Sequence, residues 1–213
     1  MAPHGCTLGR DAAGDRPMSP ITAAAVAAIV GYLLGSIPVA ALVTRRDLRE
    51  VGDRNPGYWN AKETLGRRAA LPVFAGDVLK GAAAAGVGVL LAPPGDWWVG
   101  YVAGFAAMVG HAWPVFARFR GGRSVLTFAG AVCVLSPVAA AVSIGVLVVV
   151  MLAARSFAWG ARAGVVAFPF VQIVVEGPYR TAATGCLMTL IGVRFAQAAL
   201  LSRTSDPATS ADA

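Results

Sequence analysis

Charged residues are scarce in this chain. They make up 14% of its 213 residues, whereas soluble domains carry about 25%. Hydrophobic residues make up 57%, which is more apolar sequence than a soluble core of this length absorbs. The composition therefore excludes an ordinary soluble domain and predicts an integral membrane protein.

Cysteine is scarcer still. Cys6, Cys133 and Cys186 lie far apart, and the last two fall inside apolar runs. That distribution argues against a disulfide framework or a metal centre, so we expect Cys133 and Cys186 to be small core residues. We expect neither a metal nor a cofactor.

Long apolar runs, by contrast, fill most of the chain. A transmembrane helix needs about 20 residues to cross a hydrocarbon core of about 30 Å. The sequence therefore predicts an all-α, polytopic bundle of about seven spans. They cover residues 21–43, 71–92, 97–116, 125–136, 137–152, 163–175 and 181–201. The fourth and fifth are separated at Ser136-Pro137, although one long, kinked helix is an alternative.

The polar ends and loops set the organisation. Residues 1–20 and 202–213 are predicted to be disordered tails around a single membrane-embedded domain at 21–201. The connection at 44–70 is rich in arginine and lysine, whereas the turn at 93–96 has neither. The positive-inside rule therefore puts the N-terminus outside and the C-terminus in the cytoplasm.

This topology also explains the formal charge of +7. The basic residues lie in short loops and not along one soluble face, so we expect no nucleic-acid partner. Three polar segments fall on the predicted inner face: residues 49–60, 118–123 and 194–197. Their convergence favours a functional site.

Two spans contain polar or charged groups whose burial in lipid is unfavourable. Ser36-Ile37-Pro38 interrupts the first span, which indicates either a simple kink or a break whose backbone groups are satisfied by protein or a water-filled cavity. Asp77 and Lys80 lie three residues apart in the second span, so they share a helix face and can pair. Such charges mark either a functional interior or a structural ion pair.

The stretch Gly110–Thr127, GHAWPVFARFRGGRSVLT, interrupts the apolar sequence most sharply. Arg118, Arg120 and Arg123 supply fixed positive charges, and Gly121-Gly122 allows backbone N–H groups to face a ligand. This combination suits a phosphate. The alternative is that the arginines serve only as a topology signal.

Four segments together resemble the bacterial membrane glycerol-3-phosphate acyltransferase family known as PlsY, which uses acyl phosphate as donor. They are residues 31–38 (GYLLGSIP), 47–60, 76–81 (GDVLKG) and 110–127. The last resembles the family's second motif, whose Gly-Gly-Lys-Gly loop is taken to hold phosphate. The resemblance implies a multi-pass protein of the bacterial inner membrane with its active site facing the cytoplasm.

The resemblance also implies a reaction. The 1-hydroxyl of glycerol 3-phosphate would attack a fatty acyl phosphate within the lipid bilayer, giving lysophosphatidic acid for phospholipid synthesis. The candidate catalytic residues are Ser36, Arg49, Asn55, Lys80, His111, Arg194 and Gln197. The candidate substrate-binding residues are Gly57, Asn60, Arg120, Gly121, Gly122, Arg123 and Ser124.

Several of these positions depart from the family pattern. Asp53-Arg54 stands where Ser-Gly is typical, and Trp59 where Thr is typical. Arg123-Ser124 replaces Lys-Gly, while Arg194 and Gln197 replace the third motif's His and Asn. Asp53 is interpreted either as a solvated loop residue or as a group that repels phosphate and selects another acceptor, such as a neutral alcohol or an amine.

The identity of the proton acceptor stays open at this point. His111 is one candidate base, the substrate's own phosphate is another, and the histidine is equally readable as a structural residue. Ser36 either hydrogen-bonds a phosphate, which we prefer, or acts as a nucleophile. Two further hypotheses are an acyltransferase with an altered acceptor and a non-catalytic lipid-binding or transport protein.

Overall fold

The computed structural model describes residues 18–204, and within them the chain is entirely helical. The helices are α1 (Pro20–Gly35), α2 (Val39–Thr44), α3 (Tyr58–Leu65), α4 (Arg67–Leu91), α5 (Trp98–Ala112), α6 (Val125–Leu135), α7 (Pro137–Ala154), α8 (Phe157–Glu176) and α9 (Pro178–Thr204), with 3₁₀ turns at Leu48–Glu50 and Val115–Ala117. Most of the two predicted tails, and Cys6, lie outside the described residues.

The predicted polytopic bundle is confirmed. Within residues 18–204, six helical segments are long and apolar enough to cross a membrane, and α6 is a shorter apolar helix. The first span is broken after Gly35 and resumes at Val39. The separation at Ser136-Pro137 is also confirmed, because Pro137 is the first residue of α7, where its missing N–H costs no helical hydrogen bond.

Three expectations were wrong. The sixth span begins at Phe157 and not at residue 163, because Arg162 stays in the helix, with its guanidinium 5.0 Å from the Trp159 ring. The connection at 44–70 contains helix α3 and the start of α4. Cys133 and Cys186 are exposed on helix surfaces and do not belong to the core.

Helix α5 lies at the centre of the bundle, in contact with α1, α4, α6 and α9. Its contact with α1 is close, because a Cβ on Gly31 or Gly35 would collide with the backbone of Ala103 or Ala107. Small residues allow such close packing in membranes, where lipid removes most of the hydrophobic drive for helices to associate. The packing fixes α5, and with it the residues at its C-terminal end.

A buried polar network ties the helices together near the start of α5. Gln172 donates to Tyr101 Oη at 3.0 Å and to Ser136 Oγ at 2.8 Å. Ser136 in turn donates to Glu176 Oε2 at 2.8 Å. The α7–α8 pair, which packs mainly against itself, is thereby joined to the central helix.

Candidate active site

The three polar segments predicted to share a face do meet in the structure. Arg49 donates to the Ala117 carbonyl at 2.8 Å, and Asp53 Oδ2 lies 3.2 Å from Arg123 Nη1. Arg194 on α9 contacts the same loop from the other side. We call the end of the bundle formed by residues 45–66, 113–124 and 194–197 the loop face.

Arg49 bridges two segments of the loop face. Its Nε and Nη2 donate to Asp47 at 2.7 Å and 2.5 Å, while Nη1 reaches the Ala117 carbonyl. The hydrogen bond from Arg49 lowers the pKa of the Asp47 carboxyl, and the same hydrogen bond raises the pKa of Arg49. All three guanidinium nitrogens are therefore engaged, so Arg49 holds the loop in place in this state.

A buried ionic cluster lies beneath the loop face. Lys80 Nζ is 2.9 Å from Asp77 Oδ1, which confirms the predicted pairing, and it also donates to the Ile37 carbonyl at 3.3 Å. That carbonyl belongs to the break between α1 and α2 and also accepts the Val39 N–H at 2.9 Å, so Lys80 adds a second hydrogen bond at the break. His111 Nδ1 lies 3.5 Å from the same Asp77 oxygen, at the outer limit of hydrogen-bonding distance.

The Gly-Gly loop is held through its backbone. Gly122 N–H donates to the His111 carbonyl at 3.0 Å. Arg194 donates from Nε to the Gly122 carbonyl and from Nη2 to the Gly121 carbonyl, both at 3.1 Å. A Cβ on Gly122 would collide with the His111 imidazole and lie 3.1 Å from Asn55 Oδ1. Only glycine fits between these groups.

Helix α6 begins at this loop without a side-chain cap. Ser124 stands at the N-cap position, but its Oγ donates to the Met108 carbonyl at 2.7 Å instead of accepting from α6. The first amides of α6 therefore keep their hydrogen-bonding capacity and the partial positive charge of a helix N-terminus. With Arg123 beside it, this helix end can bind an anion.

Two cavities share Asp77 and His111 in their walls. The first, of about 40 Å³, has three cationic side chains in its wall and a second carboxylate, Asp47, besides Asp77. Its polar lining includes Arg49, Lys80, Arg120, Gly121 and Gly122. The second, of about 190 Å³, combines polar and apolar groups. Its lining includes Asn55, Gly57, Tyr58, Trp59, Arg123, Ser124, Val125, Leu126 and Phe195. Two different ligands can thus approach one buried carboxylate–imidazole pair.

Four sequence-predicted residues do not line either cavity: Ser36, Asn60, Arg194 and Gln197. Asn60 is buried and donates to the Leu48 and Val51 carbonyls at 2.7 Å and 2.9 Å, so it positions the first loop. Gln197 accepts from Arg194 at 2.9 Å. Ser36 is fully buried, and its hydroxyl makes no hydrogen bond within residues 18–204.

Sequence reasoning missed two parts of this site. Asp77 was identified only as a partner of Lys80, although it also faces His111. Phe195 was not identified, although it lines the second cavity. The one feature of the sequence that pointed to it is its position directly after Arg194. Within the described residues, no three His, Cys, Asp or Glu side chains come together to hold a metal ion.

These features define a polytopic membrane protein with a buried ionic cluster beneath an arginine-rich loop. The model of the glycerol-3-phosphate acyltransferase family matches residues 25–201. The chain belongs to that family.

Individual relatives agree with this assignment. Glycerol-3-phosphate acyltransferase 5 of Dehalococcoides mccartyi is 38% identical over 160 residues, which is 71% of this chain and 66% of that protein. The Thermoanaerobacter pseudethanolicus glycerol-3-phosphate acyltransferase is 36% identical over 156 residues, covering 71% of this chain and 77% of that protein. The chain thus spans about two thirds of the first relative and more of the second.

Solved structures show the same fold. The integral membrane glycerol 3-phosphate acyltransferase PlsY (YgiH), in its glycerol 3-phosphate form, matches with a TM-score of 0.71 and 29% identity over 85% of this chain and 92% of that chain. Its lysophosphatidic acid form matches with a TM-score of 0.66 and 28% identity over 80% of this chain and 87% of that chain.

Proposed function

We propose that this chain transfers a fatty acyl group from acyl phosphate to the 1-hydroxyl of glycerol 3-phosphate, giving lysophosphatidic acid and inorganic phosphate. The observation that carries the proposal is the meeting of two cavities at Asp77 and His111, one with three cationic side chains in its wall and one with a single arginine among aromatic rings. The family supports the acyl transfer. The forms in which PlsY was solved support the acceptor and the product.

The second cavity is our candidate site for the donor. Its apolar side, which includes Trp59 and Phe195, suits the start of an acyl chain. Its polar side holds Arg123 and the uncapped N-terminus of α6, which suits a phosphoryl group. These groups would also stabilise the charge that develops on the leaving phosphate. This match favours acyl phosphate over a thioester, whose leaving group is a thiolate.

The first cavity is our candidate site for the phosphate of glycerol 3-phosphate. Arg120 lines it, is exposed, and is not among the arginines whose guanidinium groups are paired with acidic side chains. Lys80 adds a second cation. One N–H of its ammonium group faces the Asp77 carboxylate, and another faces the Ile37 carbonyl. Two cations of this kind bind a phosphate and direct the acceptor toward the shared wall.

The chemical step needs a proton acceptor at that wall. The acceptor hydroxyl oxygen forms a bond to the acyl carbonyl carbon, the bond from that carbon to the phosphate oxygen breaks, and the hydroxyl proton is transferred. We assign the proton to His111, because Asp77 lies beside its Nδ1 and its Nε2 faces Gly122 at the cavity wall. The leaving phosphate is the competing acceptor, and a His111→Gln variant that keeps the wild-type rate and pH profile would favour it.

We further propose that the loop face lies in the cytoplasm of a bacterial cell, in the inner membrane, with residues 21–201 as the single domain. The arginines and lysines of residues 45–68 and 118–123 support this orientation through the positive-inside rule. It would place the N-terminus outside. Cysteine labelling at introduced loop positions in intact cells tests the assignment.

The reaction is tested by supplying the purified protein with glycerol 3-phosphate and either acyl phosphate or an acyl thioester. We expect lysophosphatidic acid to form when the donor is acyl phosphate and not when it is the thioester. We also expect the Arg123→Ala variant to have a raised KM for acyl phosphate. Product from the thioester would overturn the donor assignment. Turnover only with a neutral alcohol or an amine would support the hypothesis of an altered acceptor. Binding of lipid phosphate without turnover would support a non-catalytic role.

A further inference from the structure

The Asp53 carboxylate pairs with Arg123, which lines the candidate donor site. Its Oδ2 lies 3.2 Å from Arg123 Nη1, and the two side chains are 38% and 27% exposed. Its other oxygen, Oδ1, accepts the Asn55 N–H at 3.1 Å. Because one oxygen is fixed by the backbone, the other is directed at the guanidinium. The pair is therefore more ordered than two free surface charges.

Arg123 is fixed from a second direction. Its guanidinium lies 4.9 Å from the Phe195 ring, in a cation–π contact, and both residues line the second cavity. The cation that we assign to the donor phosphate thus already binds an anion that belongs to the chain. A ligand phosphate and Asp53 compete for it, because two anions at one guanidinium repel each other.

We propose that Asp53 is a resident anion of the phosphate site, which holds Arg123 while the site is empty and is displaced by an incoming phosphate. This inference deepens the proposed donor site and rests on it. A phosphoryl group gains the uncapped amides of α6 in addition to Arg123, whereas an anion without access to those amides gains only the guanidinium. Asp53 therefore lowers the affinity of every anion that binds Arg123, and an anion that also reaches α6 keeps those additional hydrogen bonds.

The test measures the binding of inorganic phosphate to the full-length protein in lipid nanodiscs by calorimetry. Asp53→Asn keeps the oxygen that accepts the Asn55 N–H but removes the charge. Because partly exposed ion pairs are weak, we expect phosphate to bind about two- to five-fold more tightly. The same variant is expected to lower the KM for acyl phosphate by a similar factor.

Two controls isolate the contact with Arg123. Glu63→Gln removes one negative charge from exposed Glu63 on α3, and we expect it to change phosphate affinity by less than half as much. In an Arg123→Ala background, Asp53→Asn should have no effect, because the cation for which the anions compete is gone. This cycle separates a direct contact from the general field of the loop face.

Three results would overturn the inference: unchanged or weaker phosphate binding in Asp53→Asn, an equal gain in Glu63→Gln, or a gain that persists without Arg123. The phosphate cycle does not depend on turnover. If it behaves as expected while acyl phosphate yields no product, the proposed function fails and the resident anion stands. If product forms but the phosphate cycle shows no coupling between Asp53 and Arg123, the proposed function stands and the resident anion fails.

Discussion

Replacing Arg194 by lysine tests whether the Gly-Gly loop is oriented from α9. Arg194 holds the Gly121 and Gly122 carbonyls at 3.1 Å with two different nitrogens. A lysine carries one ammonium on a flexible stem and does not reproduce this planar fork. We therefore expect Arg194→Lys to keep the charge of the loop face and to lose the orientation of the loop.

The size of the effect follows from the lost contacts. A hydrogen bond to a charged group contributes about 1.5–3 kcal/mol, and the half-buried position of Arg194 favours the lower end. Loss of one of the two carbonyl contacts and weakening of the other gives about 1.5–3 kcal/mol. If this free energy is lost from the binding of the transition state at the loop, kcat/KM for acyl phosphate falls about 10- to 100-fold.

Arg162→Lys is the matched control. Arg194 lies 5.0 Å from the Trp113 ring, and Arg162 lies 5.0 Å from the Trp159 ring. Both variants lose a stacked arginine, but only Arg194 contacts the loop. Initial rates of lysophosphatidic acid formation are measured at varied donor concentration, alongside thermal unfolding. Activity of Arg194→Lys within three-fold of wild type, or an equal loss in Arg162→Lys, would refute the reasoning.

Two further substitutions probe the loop and the buried charges. Gly122→Ala should lower kcat/KM for the donor by about 100-fold, because the new methyl group displaces the loop. Gly86→Ala is the control and should leave rate and stability near wild type, since its Cβ would meet nothing within 4 Å. Equal rates for the two variants would contradict this prediction. Lys80→Met should destabilise the protein by about 3–5 kcal/mol because it removes the cation paired with the buried Asp77 carboxylate. The Lys80→Met/Asp77→Asn double variant should recover part of that loss. A denaturation midpoint that the single variant does not shift would contradict this prediction.

The fold was predictable wherever one residue type acts locally. Proline at 38 and at 137 predicted the two interruptions, because proline lacks the N–H of a helical hydrogen bond. Proline alone is not sufficient for an interruption, since Pro72 and Pro169 lie inside α4 and α8. The start of α8 was not predictable in the same way. Arg162 is charged and suggested a loop, but its long side chain lies over the Trp159 ring while its backbone remains helical.

The site was predictable in location and less so in detail. The spacing of Asp77 and Lys80 was sufficient to predict their contact, since residues three apart share a helix face. The backbone carbonyls that Arg49 and Arg194 contact lie 68 to 73 residues away in sequence, and no local pattern specifies them. The sequence consequently predicted a cluster of cations without separating those that bind the protein's own carbonyls from those that remain for a ligand.

Ser124 shows how a departure from the family pattern can be accommodated. Glycine is usual at this position in the family that the chain resembles, and the backbone has φ 61 here, in the left-handed region that favours glycine. A non-glycine residue in this conformation costs about 1–2 kcal/mol. The buried hydrogen bond from Ser124 to the Met108 carbonyl contributes about 0.5–1.5 kcal/mol in the opposite direction. Since the same bond turns the hydroxyl away from α6, serine leaves the helix N-terminus without a side-chain cap, as glycine would.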